Sequence, residues 1–322
     1  MWSETAAAKA PPARLLFLFG AGASFGATHI APCRPPLGAD LYNRLAEAFP
    51  GTWGHFAHRA DEFRRDFEAA LDAYLGDRPT GAIFELDDMA RYFERFAPDG
   101  ADLYSRLLRA LADRTLITQT VFCSLNYDCI FERAAFMMGY RVHYEAVDTG
   151  PVVPGHIRVV KPHGSCNFLT RRAGRPPMPY LMSGTTVEAG IEVVRPDLLE
   201  ETLSAERAEP PSSRTGWPVM SNYVSNKSTP LSPGQICQVR VGFAERVGGA
   251  DIVMVIGARP NEHDDHVWGT LSRCSANVLY VGGDYSKLRV ARSRPLGETF
   301  EKAWPPLLTA LDAIASDMPG RG

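Results

Sequence analysis

The sequence predicts an α/β fold, a parallel sheet flanked by helices, with a helical module inserted after the first strand. Two patterns carry this expectation. Five short runs rich in β-branched and aromatic residues each end in small or polar residues. They are nearly continuous rather than alternating, as in strands buried on both faces. Between the first two runs lie about a hundred residues whose apolar positions recur at helical spacing. Helices layered on a sheet satisfy both patterns.

Residues 1–13 predict a disordered tail. The first strand is "LLFLF", running into Gly20. Lys9 and Arg14 before this run imitate an export signal. Five apolar residues nonetheless fall short of the roughly 7–15 that such a signal needs, and Glu4 sits in its charged start. The helical module covers 39–117. "ADLYNRLAEAF" follows Pro35, Pro36 and Gly38, with Asp40 as its expected N-cap. "DEFRRDFEAALDAYL", "IFELDDMARYFERF" and "ADLYSRLLRALADRTL" continue the helical pattern. The later strands are "TVFCSL" into Asn126, "IRVV" into "KPHGS", "DIVMVI" into Gly257 and "NVLYV" into Gly282. Residues 170–232, rich in Pro, Ser, Gly and Arg, predict a long connection without strong internal pattern, a lid or a partner-binding loop. The whole chain, 1–322, reads as one domain.

Bulk properties narrow the class. The 322 residues carry a net charge of −3 and no apolar stretch long enough to cross a bilayer. The expectation is a cytoplasmic protein without membrane association and without the basic footprint of nonspecific nucleic-acid binding. Six cysteines are scattered with no C-x-x-C pair, so free, mostly buried thiols are expected, with neither a disulfide framework nor a zinc ribbon.

In an open parallel sheet, ligands bind beyond the carboxyl ends of the strands, where all five endings gather. Gly20, Gly22 and Gly26 would let a backbone approach a diphosphate. Their spacing, G-x-G-x-x-x-G, misses the dinucleotide fingerprint by one residue, and a tight bend reads as well. "SLNYD" offers the Asn126 amide and the Asp128 carboxylate, although Asp128 equally suits the cap of the helix "CIFERAAFMM". "KPHGS" holds His163 between a stiffening Pro and a permissive Gly, a cradle for a general base or simply for a hydrogen-bonded loop histidine. In "IGARPNEHDDHVW", His263 and His266 stand at i and i+3, but no third ligand has a recognised spacing, so no metal is expected. Asp264 and Asp265 read instead as acids at a helix N-terminus.

In order, these pieces resemble the sirtuin-like (silent-information-regulator) superfamily. "GAGAS" at 20–24 resembles its glycine-rich cofactor loop, "SLNYD" at 124–128 its T-x-N-x-D element, and "KPHGS" at 161–165 its His-Gly motif. "VIGARPNEHDDHVW" resembles the late strand and helix of its bacterial NAD-consuming branch, and "VGGDY" at 281–285 sits where the family closes over adenine. The resemblance implies a Rossmann-like sheet and NAD as substrate. Protein-deacylating members generally carry a four-cysteine zinc ribbon, which this chain lacks the cysteine pairs to build. The closer resemblance is to sirtuin-like domains of bacterial antiphage systems, which hydrolyse NAD.

By that resemblance, Asn126 and His163 are the expected catalytic residues, orienting water or ribose and accepting a proton. Gly20, Ala21, Gly22, Ala23 and Ser24 would hold the diphosphate. Gly257, Gly283 and Asp284 would meet the adenosine half, and Asp128 would bind the carboxamide or support the Asn126 loop. The family also implies a homo-oligomer or a partner such as a HerA-like ATPase or a short Argonaute. An NAD or ADP-ribose sensor and a protein deacylase are the alternatives.

Overall fold

The apolar run Leu15–Phe19 forms β1, with every residue buried. In this computed structural model, residues 14–75, 82–171, 186–221, 229–261 and 264–317 are described. The expected tail at 1–13, residue His263, and positions 172–185 and 222–228 of the long connection lie outside the described residues.

After β1 come the short helix α1 (Ala21–Gly26) and β2 (Ile30–Ala31), which pairs with β3 (Ala97–Pro98). Between them run α2 (Gly38–Ala48), α3 (Pro50–Trp53), α4 (Ala60–Arg65), α5 (Phe67–Leu75) and α6 (Ile83–Phe93). Trp53, Phe56 and Phe63 pack ring against ring and are fully buried. Asp40 does not cap α2: the helix begins two residues earlier, at Gly38, which leaves Asp40 inside the first turn. There its charge complements the helix dipole. α7 (Leu103–Asp113) turns Leu103, Leu107, Leu108 and Leu111 inward, and its cap is Asp102, whose Oδ1 accepts from the Ser105 N–H at 2.9 Å.

The remaining strands are β4 (Thr120–Ser124), β5 (Arg141–Tyr144), β6 (His156–Val160), β7 (Gly164–Thr170), β8 (Ile191–Val193), β9 (Pro218–Met220), β10 (Ile252–Ile256), β11 (Asn277–Val281) and β12 (Ser293–Gly297). Interspersed are α8 (Ile130–Met137), α9 (Leu199–Ala208), α10 (Pro233–Gly249), α11 (Asp265–Arg273) and α12 (Trp304–Ser316). Seven strands form one parallel sheet in the order β12-β11-β10-β1-β4-β6-β5. All five expected strands are present. The two edges, β5 and β12, were not expected, because "RVHY" and "SRPLG" are polar and partly exposed; Pro295 is tolerated in β12 because an edge strand need not donate on both sides.

From β1 the chain builds outward through β4 to β6 and β5, then returns to lay β10 against the other side of β1. The topological switch point therefore falls between β1 and β10. Phe19 stands level with both Ser124 and Ile256, so the strand ends at this point lie on one rim.

The 170–232 segment has more structure than its composition suggested. β7 pairs antiparallel with β8 and β9, and Arg207 ties α9 to α6 of the helical module through an ion pair. Arg214 binds Asp87 through two charge-assisted bonds of 2.9 and 2.6 Å, and Arg207 reaches Asp88 at 2.6 Å. These partners are more than a hundred residues apart, which is why local pattern did not reveal them. Cys123, Cys129 and Cys166 are buried free thiols, while Cys33 and Cys237 are exposed, against the expectation of mostly buried cysteines. No helix among the described residues is long and apolar enough to cross a membrane.

Candidate functional site

At the switch point, two glycine turns press backbone against backbone. The Gly20 N–H donates to Ile256 O at 3.0 Å, the Gly22 N–H to Gly257 O at 2.8 Å, and the Ala23 N–H back to Gly20 O at 2.8 Å. A Cβ on Gly20 would sit 2.4 Å from Ala258 Cα, and one on Gly22 would sit 2.9 Å from Gly257 Cα. Gly257 has φ +65, and its Cβ would lie 2.0 Å from Ala23 N. Glycine is thus demanded here by the fold itself, whatever ligand arrives. The Gly22 and Ala23 amides are engaged within the protein, while Ala21 is exposed at the start of α1.

Ser24 is buried and shares its hydroxyl with two partners, Tyr104 Oη at 3.1 Å and Asn126 Nδ2 at 3.0 Å. The Asn126 amide also donates to Gly20 O at 3.0 Å. It therefore ties the turn after β4 to the turn after β1. Tyr104, brought in by α7, carries no local sequence signal for this role; its partner is 80 positions away.

Asp128 Oδ1 accepts from the Ile130 N–H at 3.1 Å, at the start of α8. Burial pushes its carboxyl up from the ordinary value, against the pull of Lys161 and of that N–H. The buried Lys161 donates to Asp128 O at 2.7 Å and to Glu132 Oε1 at 3.0 Å. Burial works against the Lys161 charge most strongly of any single influence, but Glu132, Cys129, Cys166 and Asp128 together outweigh it and hold the ammonium above its ordinary range. Together with the Cys166 N–H donating to Tyr127 O at 2.9 Å, Lys161 binds the β4 and β6 turns together.

His163 is buried, and its Nε2 lies 3.0 Å from His266 Nε2 and 3.3 Å from Asp264 Oδ1. Asp264 is the N-cap residue of α11 and Asp265 its first residue, as expected, but Asp264 also faces His163. Arg240 of α10 steadies the other side of this turn, donating to Pro162 O at 3.0 Å and to Ser221 Oγ at 2.9 Å. Neither His266 as a neighbour of His163 nor Arg240 was legible in the sequence, since these partnerships span from 19 to 103 residues.

The contacts close a ring: β1 turn to β10 turn through glycines, β1 turn to β4 turn through Asn126, β4 turn to β6 turn through Lys161, and β6 turn to α11 through His163. Gly283 and Asp284 follow β11, the neighbour of β10. Gly283 is exposed and an added Cβ would meet nothing within 4 Å, whereas Asp284 pairs with Arg259 at 3.2 Å and Lys287 at 3.1 Å. A separate cavity of about 310 Å³, lined by Phe49, Arg91, Glu94, Arg95, Arg133 and Glu200, contains none of the expected site residues.

No family model matches the chain, and no curated protein matches its sequence. Among solved structures, a Sir2 homolog in complex with NAD is 15% identical with a TM-score of 0.47, covering 95% of this chain and 92% of that one. A structure described for the mechanism and regulation of Sir2 enzymes is 14% identical with a TM-score of 0.41, covering 96% and 95%. A complex of Sir2 with the inhibitor EX-527, 2'-O-acetyl-ADP-ribose and deacetylated p53 peptide is 12% identical with a TM-score of 0.41, covering 94% and 93%.

Proposed function

We propose that the chain hydrolyses NAD+ at the bond between nicotinamide and ribose, giving nicotinamide and ADP-ribose. The observation that carries this reading is the Asn126 amide bridging Gly20 O and Ser24 Oγ. It joins the glycine turn to a strand end that Lys161 in turn fastens to the turn bearing His163.

The reaction needs little acid catalysis, because nicotinamide leaves by taking the electron pair of the breaking C–N bond and so neutralises its own ring charge. What remains is to stabilise an oxocarbenium-like ribose and deliver water to the anomeric carbon. In this reading, the Gly20–Ser24 turn seats the diphosphate at its exposed Ala21 end and fixes the ribose, the Gly20, Gly22 and Ala23 N–H groups being engaged within the protein. Asn126 orients the water or the ribose hydroxyls. His163 Nε2 accepts the proton that the attacking water loses, and Asp264 stabilises the resulting imidazolium across 3.3 Å. Asp128 supports the Asn126 loop, consistent with its bond to the Ile130 N–H. Gly257, Gly283 and Asp284 line the adenosine side.

Incubating the purified chain with NAD+ and resolving the products by chromatography tests the reading. His163→Ala and Asn126→Ala are expected to lower turnover by roughly 10²–10⁴-fold in folded protein; full turnover in both variants would remove the mechanism. Acylated ADP-ribose appearing when an acyl-peptide is added would instead mark a deacylase. In line with the resemblance, we assign the activity to NAD depletion in antiphage defence, held back by a homo-oligomer or a partner protein. A monomer that is fully active alone in the same preparation would remove that gating.

A further inference from the structure

His163, Asp264 and His266 converge although no spacing in the sequence joins them. Their candidate donor atoms, two imidazole nitrogens and one carboxylate oxygen, all lie within 4.8 Å of one another. Around a tetrahedral Zn²⁺, with bonds of about 2.0–2.2 Å, neighbouring donors stand about 3.3 Å apart. Here His163 Nε2 is 3.0 Å from His266 Nε2 and 3.3 Å from Asp264 Oδ1. Without a metal, that short nitrogen–nitrogen approach needs one ring to donate and the other to accept. With a metal, both lone pairs point at one cation.

We propose that His163, Asp264 and His266 form a binding site for one divalent transition cation of Zn²⁺ type. Two neutral nitrogens and one carboxylate suit such an ion better than Mg²⁺ or Ca²⁺, which favour oxygen donors. Three protein ligands also leave a coordination position open. Two of the ligands are held by burial and the third by its place in α11, so the site is preformed. One consequence rests on the proposed hydrolysis: a cation on His163 Nε2 occupies the lone pair that would accept the proton from water. Metal and proton then compete for one atom, and the loaded protein turns over less NAD+.

The test titrates the full chain with Zn²⁺ by calorimetry, and with Co²⁺ by visible absorption, in parallel with turnover. Wild-type protein is expected to bind one equivalent. Asp264→Asn, which keeps the side-chain shape, and His266→Ala should each weaken binding by at least about ten-fold while circular dichroism stays unchanged. Absence of binding in wild type, or equal affinity in both folded variants, would overturn the site. Undiminished or increased turnover in the loaded protein would overturn the competition. One-to-one binding lost in the variants, in a chain that never consumes NAD+, would keep the site and remove only the proposed reaction. NAD+ turnover without metal binding would do the reverse.

Discussion

The two halves of the sheet's carboxyl rim are built from opposite materials. Between β1 and β10, the rim is backbone on backbone, with glycines admitted because any Cβ would strike a neighbouring main chain. Between β6 and α11, it is side chain on side chain, with His163, Asp264 and His266 meeting through donor atoms. Asn126 belongs to both, since its side chain grips the glycine turn. The difference teaches that sensitivity to mutation should divide along the rim: folding at the glycine half, chemistry at the histidine half.

The strongest way to break this division is Gly257→Ala. It forces a side chain into a positive-φ position with its Cβ 2.0 Å from Ala23 N, so we expect a loss of more than about 3 kcal/mol in urea unfolding. A stable variant that lost only NAD+ affinity would mean that the glycine serves the ligand rather than the packing. The same logic makes a Gly22 substitution a poor probe of binding, because a Cβ there strikes Gly257 before any ligand. Asn126→Ala should lie in between. Removing its amide leaves Gly20 O and Ser24 Oγ without that donor, at a cost of about 1–3 kcal/mol by chemical denaturation. No change in stability would assign Asn126 wholly to chemistry. Gly283→Ala should have the smallest effect on the fold, within about 0.5 kcal/mol, because its added carbon meets open space. A few-fold loss of NAD+ affinity would place position 283 in the adenosine site, and unchanged affinity would remove it.

How much was legible depended on the range of the interaction. Leu15–Phe19 and Ile252–Ile256 announce themselves because a strand buried on both faces must be apolar along its whole length. The edges β5 and β12 did not, because half-exposed strands admit Arg141 and Pro295 and so resemble loops. Gly20, Gly22 and Gly257 were visible as glycines, but their reason was not: each excludes a side chain because of the other turn, more than two hundred residues away in sequence. In 170–232, β8, α9 and β9 were hidden because their stabilising partners, β7 and the acids of α6, lie elsewhere in the chain.

The sequence by itself determined the α/β class, the five central strands and the placing of Gly20, Asn126, His163 and Gly257 at strand ends, because periodicity and burial are local properties of a chain. Only the tertiary structure decided that Asn126 grips Gly20 and Ser24, that the two glycine turns interlock, and that His163 faces Asp264 and His266. Those pairings depend on strand order and register, which bring residues together across about a hundred positions or more and leave no trace in local spacing.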